Sequence, residues 1–192
     1  MPVYQPSITK EEVKKLPLLE FKGELFLVDK LADVAKAIAV LEKEVILGFD
    51  TETRPSFKKG EHYHVALMQL STATKCFLFR ICKIGLPNEL IDILANKKIA
   101  KIGAAVHDDI KQLQAKKHFL AQNFIDLQKF VKPYGIVDIS VAKLTAIVLQ
   151  AHISKKQQVT NWEVPTLTDA QQVYAATDAW ACRQIYCKLM EG

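Results

Sequence analysis

Apolar residues follow two rhythms along this chain: continuous runs cut off by polar stretches in the first half, and spacings of three and four through much of the second. The run ELFLVD at 24–29 reads as a strand, after which Leu31, Val34, Ala35, Ile38 and Leu41 recur at the spacing of an amphipathic helix. VILGFD at 45–50 is apolar without alternation and ends abruptly in an acid, as suits a strand covered on both faces at the centre of a sheet. After the polar loop RPSFKKGEHY come two strand-like runs, HVALMQLS (64–71) and KCFLFRI (75–81), split by Thr72-Ala73-Thr74 in the manner of a hairpin.

Farther on, the spacing predicts a helix over Asn88 to Leu94, a short strand in KIAKIG (98–103), and a helix from His107 to about Lys117 with Ile110 and Leu113 inward. FIDL (124–127) fits a strand or an extended connection. Helices are expected over about 139–149 and from Thr168 to Met190, the second opened by a Thr168/Gln171 capping box. Mixed strands with helices on both sides define an α/β class. With no repeat, low-complexity tract or linker, residues 21–192 read as one folding unit. Residues 1–20 read as an N-terminal arm, in which Thr9 and Glu12 have capping-box spacing and Pro17 stops the short helix that follows.

Composition narrows the class. At 192 residues the chain is one domain by the usual size of about 150 residues, and 49% hydrophobic residues supply a core without disulfides or a structural metal. No apolar run approaches the ~20 residues of a bilayer span and no signal peptide is visible, so a cytoplasmic protein without membrane contact is expected. Cys76, Cys82, Cys182 and Cys187 form no CxxC pair and sit among apolar neighbours, as reduced buried thiols would. The net charge of +5 is compatible with a polyanionic partner. Only Arg54, Arg80 and Arg183 are arginines, so the positive charge is nearly all lysine, a point charge for phosphate and not a bidentate reader of bases. The lysine doublets, such as Lys58-Lys59 and Lys155-Lys156, are scattered, as on a solvated surface.

Three acidic segments carry candidate chemistry. In Phe49-Asp50-Thr51-Glu52, alternation along a strand sends both acids to one side with Cα atoms about 6–7 Å apart. The pair fits either two solvated acids or hard oxygen ligands for Mg²⁺ or Mn²⁺. His107-Asp108-Asp109 opens a helix, where the dipole favours acids; capping or solvation accounts for one of the two, Asp108, and the residues alone leave open which acid turns toward the first pair. Tyr174 and Asp178 lie a turn apart on one helix face; the pair fits either a half-buried tyrosine beside a surface acid or an acid that holds a metal while the phenol orients a water.

With D-x-E at a central strand, HDDI after KIGAAV, and YAATDA on the final helix, the chain resembles the DEDD superfamily of 3′-5′ exonucleases, on the Tyr-containing branch. It is similar to ribonuclease D and to the exonuclease domain of the Werner syndrome protein over VALMQLSTATKCFLF, KIGAAVHDDIKQL and NWEVPTLTDAQQVYAATDAWACRQIY, about residues 24–190. The resemblance implies a ribonuclease H-like fold, a mixed central sheet with helices on both faces. It makes residues 21–192 the exonuclease domain and implies hydrolytic release of nucleoside 5′-monophosphates from a single-stranded or frayed 3′ end, with DNA slightly preferred over RNA. Its metal ligands fall on Asp50, Glu52, Asp109 and Asp178, for two divalent ions, Mg²⁺ or Mn²⁺, and its motif tyrosine on Tyr174. No histidine stands at a motif position of the His-containing branch, so Tyr174 and not His107 orients the water. The helical nucleic-acid-binding domain that follows in ribonuclease D is not expected here, nor are structured-RNA or processive substrates. Asp50, at the strand's centre, is the expected bridging ligand, and divalent ion is expected to stabilise the fold. A trimming ribonuclease and a catalytically silent binding module of the same fold are the alternatives.

Other features add little. His62 and His64 form an H-x-H without a third ligand. Trp162 fits a core anchor or a base-stacking platform, and Lys155 and Lys156 fit backbone phosphate or plain solvation. Gly48 and Gly103 precede motif segments without building a phosphate loop.

Overall fold

A computed structural model describes residues 4–58, 60, 61 and 63–191. Six strands form one sheet in the order β1-β4-β3-β2-β5-β6: β1 (Glu24–Val28), β2 (Ile46–Thr53), β3 (Val65–Ser71), β4 (Lys75–Phe79), β5 (Ala100–Gly103) and β6 (Phe124–Asp126). Only β3 runs against the rest, because the loop after β2 and the tight Thr72–Thr74 hairpin each reverse the chain, while the remaining connections cross over through helices. Around the sheet lie α1 (Lys10–Lys15), α2 (Leu31–Leu41), α3 (Ile81–Ile84), α4 (Asn88–Ala95), α5 (Val106–Lys116), α6 (Leu127–Phe130), α7 (Val141–Leu149) and α8 (Asp169–Met190). The sheet is mixed and flanked by helices on both faces, a ribonuclease H-like fold.

Strand alternation sorts the core. Leu47 and Phe49 of β2 join Met68, Leu70, Phe77 and Phe79 on the face covered by α2, α4 and α5. Leu67, Cys76 and Leu78 pack on the opposite face with Ala175 and Ala176 of α8, and Ile102 of β5 with Cys182 and Ile185 of the same helix. The Glu52–Leu67 and Thr53–Val65 pairings leave Ala66 as an extra residue in β3, a bulge beside the D-x-E segment.

Both capping boxes are present, Thr9 with Glu12 and Thr168 with Gln171. α1 ends at Lys15, shortly before Pro17. Ile8 is buried against α7 and α8, and Leu19 N–H donates to the His152 carbonyl at 2.7 Å, so the N-terminal residues are stitched to the segment entering the last connection. Several expectations change. β2 continues to Thr53, so Asp50 and Glu52 lie within a strand, held by the ladder to β3. Ala37, not Ala35, faces inward in α2. Cys82 is exposed and Cys187 half-buried, because α3 begins immediately after β4 and turns Cys82 outward. Lys101, one of the few charges inside a strand, is fully buried; its ammonium donates to the carbonyls of Asn96 and Ile99, each at 2.8 Å, and stands 5.1 Å from the Phe124 ring centroid. Lys59 and His62 lie outside the described residues, and His64 is exposed. Among the described residues, no helix is long and apolar enough to cross a membrane.

One glycine decides how closely α8 approaches the sheet. A Cβ built on Gly48 would stand 1.9 Å from the Ala179 carbonyl oxygen and 2.7 Å from its carbon, so helix backbone and strand backbone touch there. Gly48→Ala is expected to push α8 away and to lower the unfolding free energy by about 1–3 kcal/mol, read from the denaturant midpoint.

Candidate active site

The close approach at Gly48 brings Asp178, one residue before Ala179, over β2. Asp50 and Glu52 share the face that Gly48 turns to α8, since side chains two residues apart point the same way. One carboxylate oxygen from each of Asp50, Glu52 and Asp178 lies within 4.8 Å of the others. Asp178 Oδ1 is shut off from solvent and has no hydrogen-bond partner.

Asp109 arrives from the other side. Asp126, at the end of β6, accepts from Ala105 N–H and Gln128 N–H, each at 3.0 Å, and so pins the entry to α5. Ala105 itself is left-handed, with φ 56°, a conformation rare outside glycine and frequent near functional sites. The first turn of α5 then presents Asp109, whose Oδ1 accepts the hydroxyl hydrogen of Thr51. Asp108 and His107 on the same turn are exposed. Asp109 therefore stands beside the trio of acids, outside the tight set and tied to the strand residue between Asp50 and Glu52. Thr51 was not singled out in the sequence; its position between two acids, on the opposite face of the strand, is the only local signal for it.

Tyr174 and Asp178 share one face of α8 and line one cavity of about 240 Å³ with Asp50 and Glu52. Ser140, Ser154, Lys155 and Gln158 line its other side, and Lys155 is the one cation among the described lining residues. Trp162 is fully buried, its ring 6.0 Å from that of Tyr174, and props the tyrosine from behind as a core anchor.

Burial drives the electrostatics. It pushes the Asp50 carboxyl well above the ordinary carboxylate range, with the charges of Asp178 and Asp109 adding to the shift. Glu52 is raised by burial and then by Asp50, Asp178 and Asp109. Asp109 is raised to about 6 by burial, against the Thr51 hydrogen bond that lowers it. Asp178 is raised to about 7 by burial, opposed by Tyr174 and by the Lys155 charge. Tyr174 is pushed above its usual value by burial and by the Asp178 and Glu52 charges, so it keeps its proton at any ordinary pH. Converging hard oxygens, like charges at close range and a buried unpartnered acceptor together fit a divalent cation of the Mg²⁺ type.

Comparison with known proteins identifies the family and the fold. The sequence profile of the 3′-5′ exonuclease family matches residues 25–192. The mouse bifunctional 3′-5′ exonuclease/ATP-dependent helicase WRN is 32% identical over 91% of this chain, which spans 13% of that protein. A putative 3′-5′ exonuclease of Acanthamoeba polyphaga mimivirus is 29% identical over 92% of the chain, which spans 49% of its length. Among solved structures, the Nibbler EXO domain of Aedes aegypti superposes with a TM-score of 0.80 at 21% identity, covering 90% of this chain and 91% of that one. Escherichia coli RNase D gives 0.79 at 22% identity, over 88% of this chain and 44% of its own. At these identities the structural likeness is one of fold.

The raised carboxylates set a pH dependence. A group whose folded pKa exceeds its unfolded value binds its proton more tightly in the native state, so its stabilisation is complete below the unfolded pKa and is lost as pH rises through the folded one. With Asp109 at about 6 and Asp178 at about 7, the chelator-treated protein is expected to melt at progressively lower temperature from about pH 4.5 to about pH 7.5, and Glu52, raised to about 10, continues the fall beyond that window. Lys101, lowered by burial to about 8, acts in the opposite sense only above that window. Asp178→Asn is expected to flatten the slope in thermal melts across the same range.

Proposed function

The chain belongs to the 3′-5′ exonuclease family, and from that premise we propose that it removes nucleoside 5′-monophosphates from the 3′ end of single-stranded or frayed nucleic acid, with Asp50, Glu52, Asp109, Tyr174 and Asp178 as its catalytic residues. The observation that carries the reading is the trio of carboxylates within 4.8 Å, one oxygen of which is buried without a partner. Held together with no cation among them, these acids would repel one another and a phosphate backbone alike.

Asp50, Glu52 and Asp178 would hold one divalent ion, Mg²⁺ or Mn²⁺. Asp109, with one oxygen taken by Thr51, has its other oxygen free for a second ion. Bound ions supply Lewis acidity, lowering the pKa of the attacking water and offsetting charge on the phosphate and the leaving 3′-oxygen. Tyr174, which keeps its proton, acts as a hydrogen-bond donor that orients the water and not as a base. Lys155, which lines the cavity and forms no salt bridge among the described residues, would contact the substrate phosphate and offset the negative field of the site.

A larger groove of about 850 Å³ shares Ile153, Ser154, Lys155 and Tyr174 with the site. One wall is formed by residues 18–23, the other by 152–157 and the first turns of α8, with Lys22 and Lys156 along it. Its size and its continuity with the acids suit the nucleotides adjoining the scissile bond. Lysine-dominated contacts suit a substrate recognised through its backbone with weak sequence preference.

A 5′-labelled oligonucleotide incubated with Mn²⁺ or Mg²⁺ is expected to yield a ladder shortened from the 3′ end, and chelator to stop it. Asp50→Ala and Asp178→Ala are expected to abolish the ladder, whereas Tyr174→Phe lowers kcat by about 100-fold and leaves measurable turnover. Degradation by Asp50→Ala at the parent rate would refute the site. Lys155→Ala is expected to cut kcat/KM by about 10-fold, with a weaker salt dependence than the parent. Matched DNA and RNA strands digested side by side test the preference for DNA.

A further inference from the structure

Gln69 sits on β3 directly across the antiparallel ladder from Asp50. Side chains paired in this way lie on the same face of the sheet with Cβ atoms about 4.5–5.5 Å apart, so Gln69 faces α8 within reach of the Asp50 carboxylate. It is fully buried, and neither its Nε2 nor its Oε1 has a hydrogen-bond partner. An amide in such a place is costly to keep unless some state of the protein uses it.

The neighbouring hydroxyls direct their hydrogens elsewhere. The Ser71 hydroxyl, two residues along β3, donates toward the carbonyls of Thr72 and Lys75. The Thr177 hydroxyl on α8 donates to the Val173 carbonyl and accepts from Phe21 N–H. Glu52 stands across from Leu67. By register the nearest charged acceptor for the Nε2 hydrogens is Asp50, directly across the ladder, and on the same face Asp178 Oδ1 lacks a partner.

We infer that Gln69 is a positioning residue for Asp50: its Nε2–H holds one oxygen of the charged Asp50 carboxylate so that the other points at the bound cation. This inference rests on the site reading given above. A neutral amide suits the task. It orients a carboxylate and stabilises its charge without supplying a positive charge that would compete with the cation, as a lysine or arginine there would. Partners of this kind, one step removed from the ion, typically change metal affinity by about 10–100-fold when lost.

Gln69→Leu separates this role from packing. The substitution replaces an unpartnered amide with an apolar group of similar size, so in chelator the variant is expected to melt at least as high as the parent. Calorimetric titration with Mn²⁺ is expected to show affinity lowered by about 10-fold or more, and the Mn²⁺ requirement for nucleotide release to rise by the same factor. Gln69→Met, unbranched and of equal length, is the second variant and is expected to behave alike should the leucine variant fold poorly. Mn²⁺ affinity within about twofold of the parent in a folded variant would overturn the role of Gln69. A parent protein that neither binds Mn²⁺ nor is stabilised by it would instead remove the metal site itself, and this role with it.

Discussion

The backbone contact between α8 and β2 at Gly48 is the constraint on which the site depends. Carboxylates repel, and no local preference would bring the Asp178 oxygens to within 4.8 Å of those of Asp50 and Glu52. The approach is secured by apolar burial around it. Ala175 and Ala176, small enough to let the helix sit low, are buried with Leu67 and Leu78, while Ile185 and Leu189 pack the far end of the same helix. Arg183 adds a tie from α8 to the Ile46 carbonyl at 3.2 Å. The core thus supplies the free energy that holds the acids together, and the absence of a side chain at Gly48 sets the distance.

The same arrangement leaves the protein electrostatically unfinished. Asp50, Glu52, Asp109 and Asp178 all have their pKa values raised, chiefly by burial, and the nearby cation, Lys155, is exposed and only partly offsets them. A site selected for stability alone would have replaced these acids with apolar residues or paired each with arginine. Retained charge at the cost of stability is characteristic of a site whose ligand repays it.

Neighbouring segments divide the work of support. Asp126 fixes the turn into α5, and Thr51 ties the Asp109 that α5 delivers to the middle of β2. Trp162, buried beneath the last connection, backs Tyr174, while the N-terminal residues pair with His152 and form a wall of the adjoining groove. The cavity itself is lined from residues 50–52, 140–142, 153–158 and 174–178, and rigid strands and helix turns, not mobile loops, carry each of the acids.

Much of this was legible in the string of residues, because the signals were local. The apolar run ending at Asp50, the hairpin between residues 71 and 75, and the Thr168/Gln171 capping box each depend on neighbours within a few positions, and each has its expected element. That Asp50 and Glu52 share a face follows from alternation alone, and the order of acidic segments carried the family resemblance. The rest was decided across the sheet. The Thr51–Asp109 bond, the placement of Gln69 opposite Asp50, the burial of Lys101 beside Phe124 and the bulge at Ala66 depend on which strands pair and in what register. Ala35 and Ala37 were equally apolar to a reader of spacing, yet only the direction from which the sheet meets α2 makes Ala37 the inward one. Local chemistry fixes periodicity, caps and turns; long-range pairing alone fixes which groups meet, since those contacts join residues whose separation along the chain carries no physical information about their distance in space.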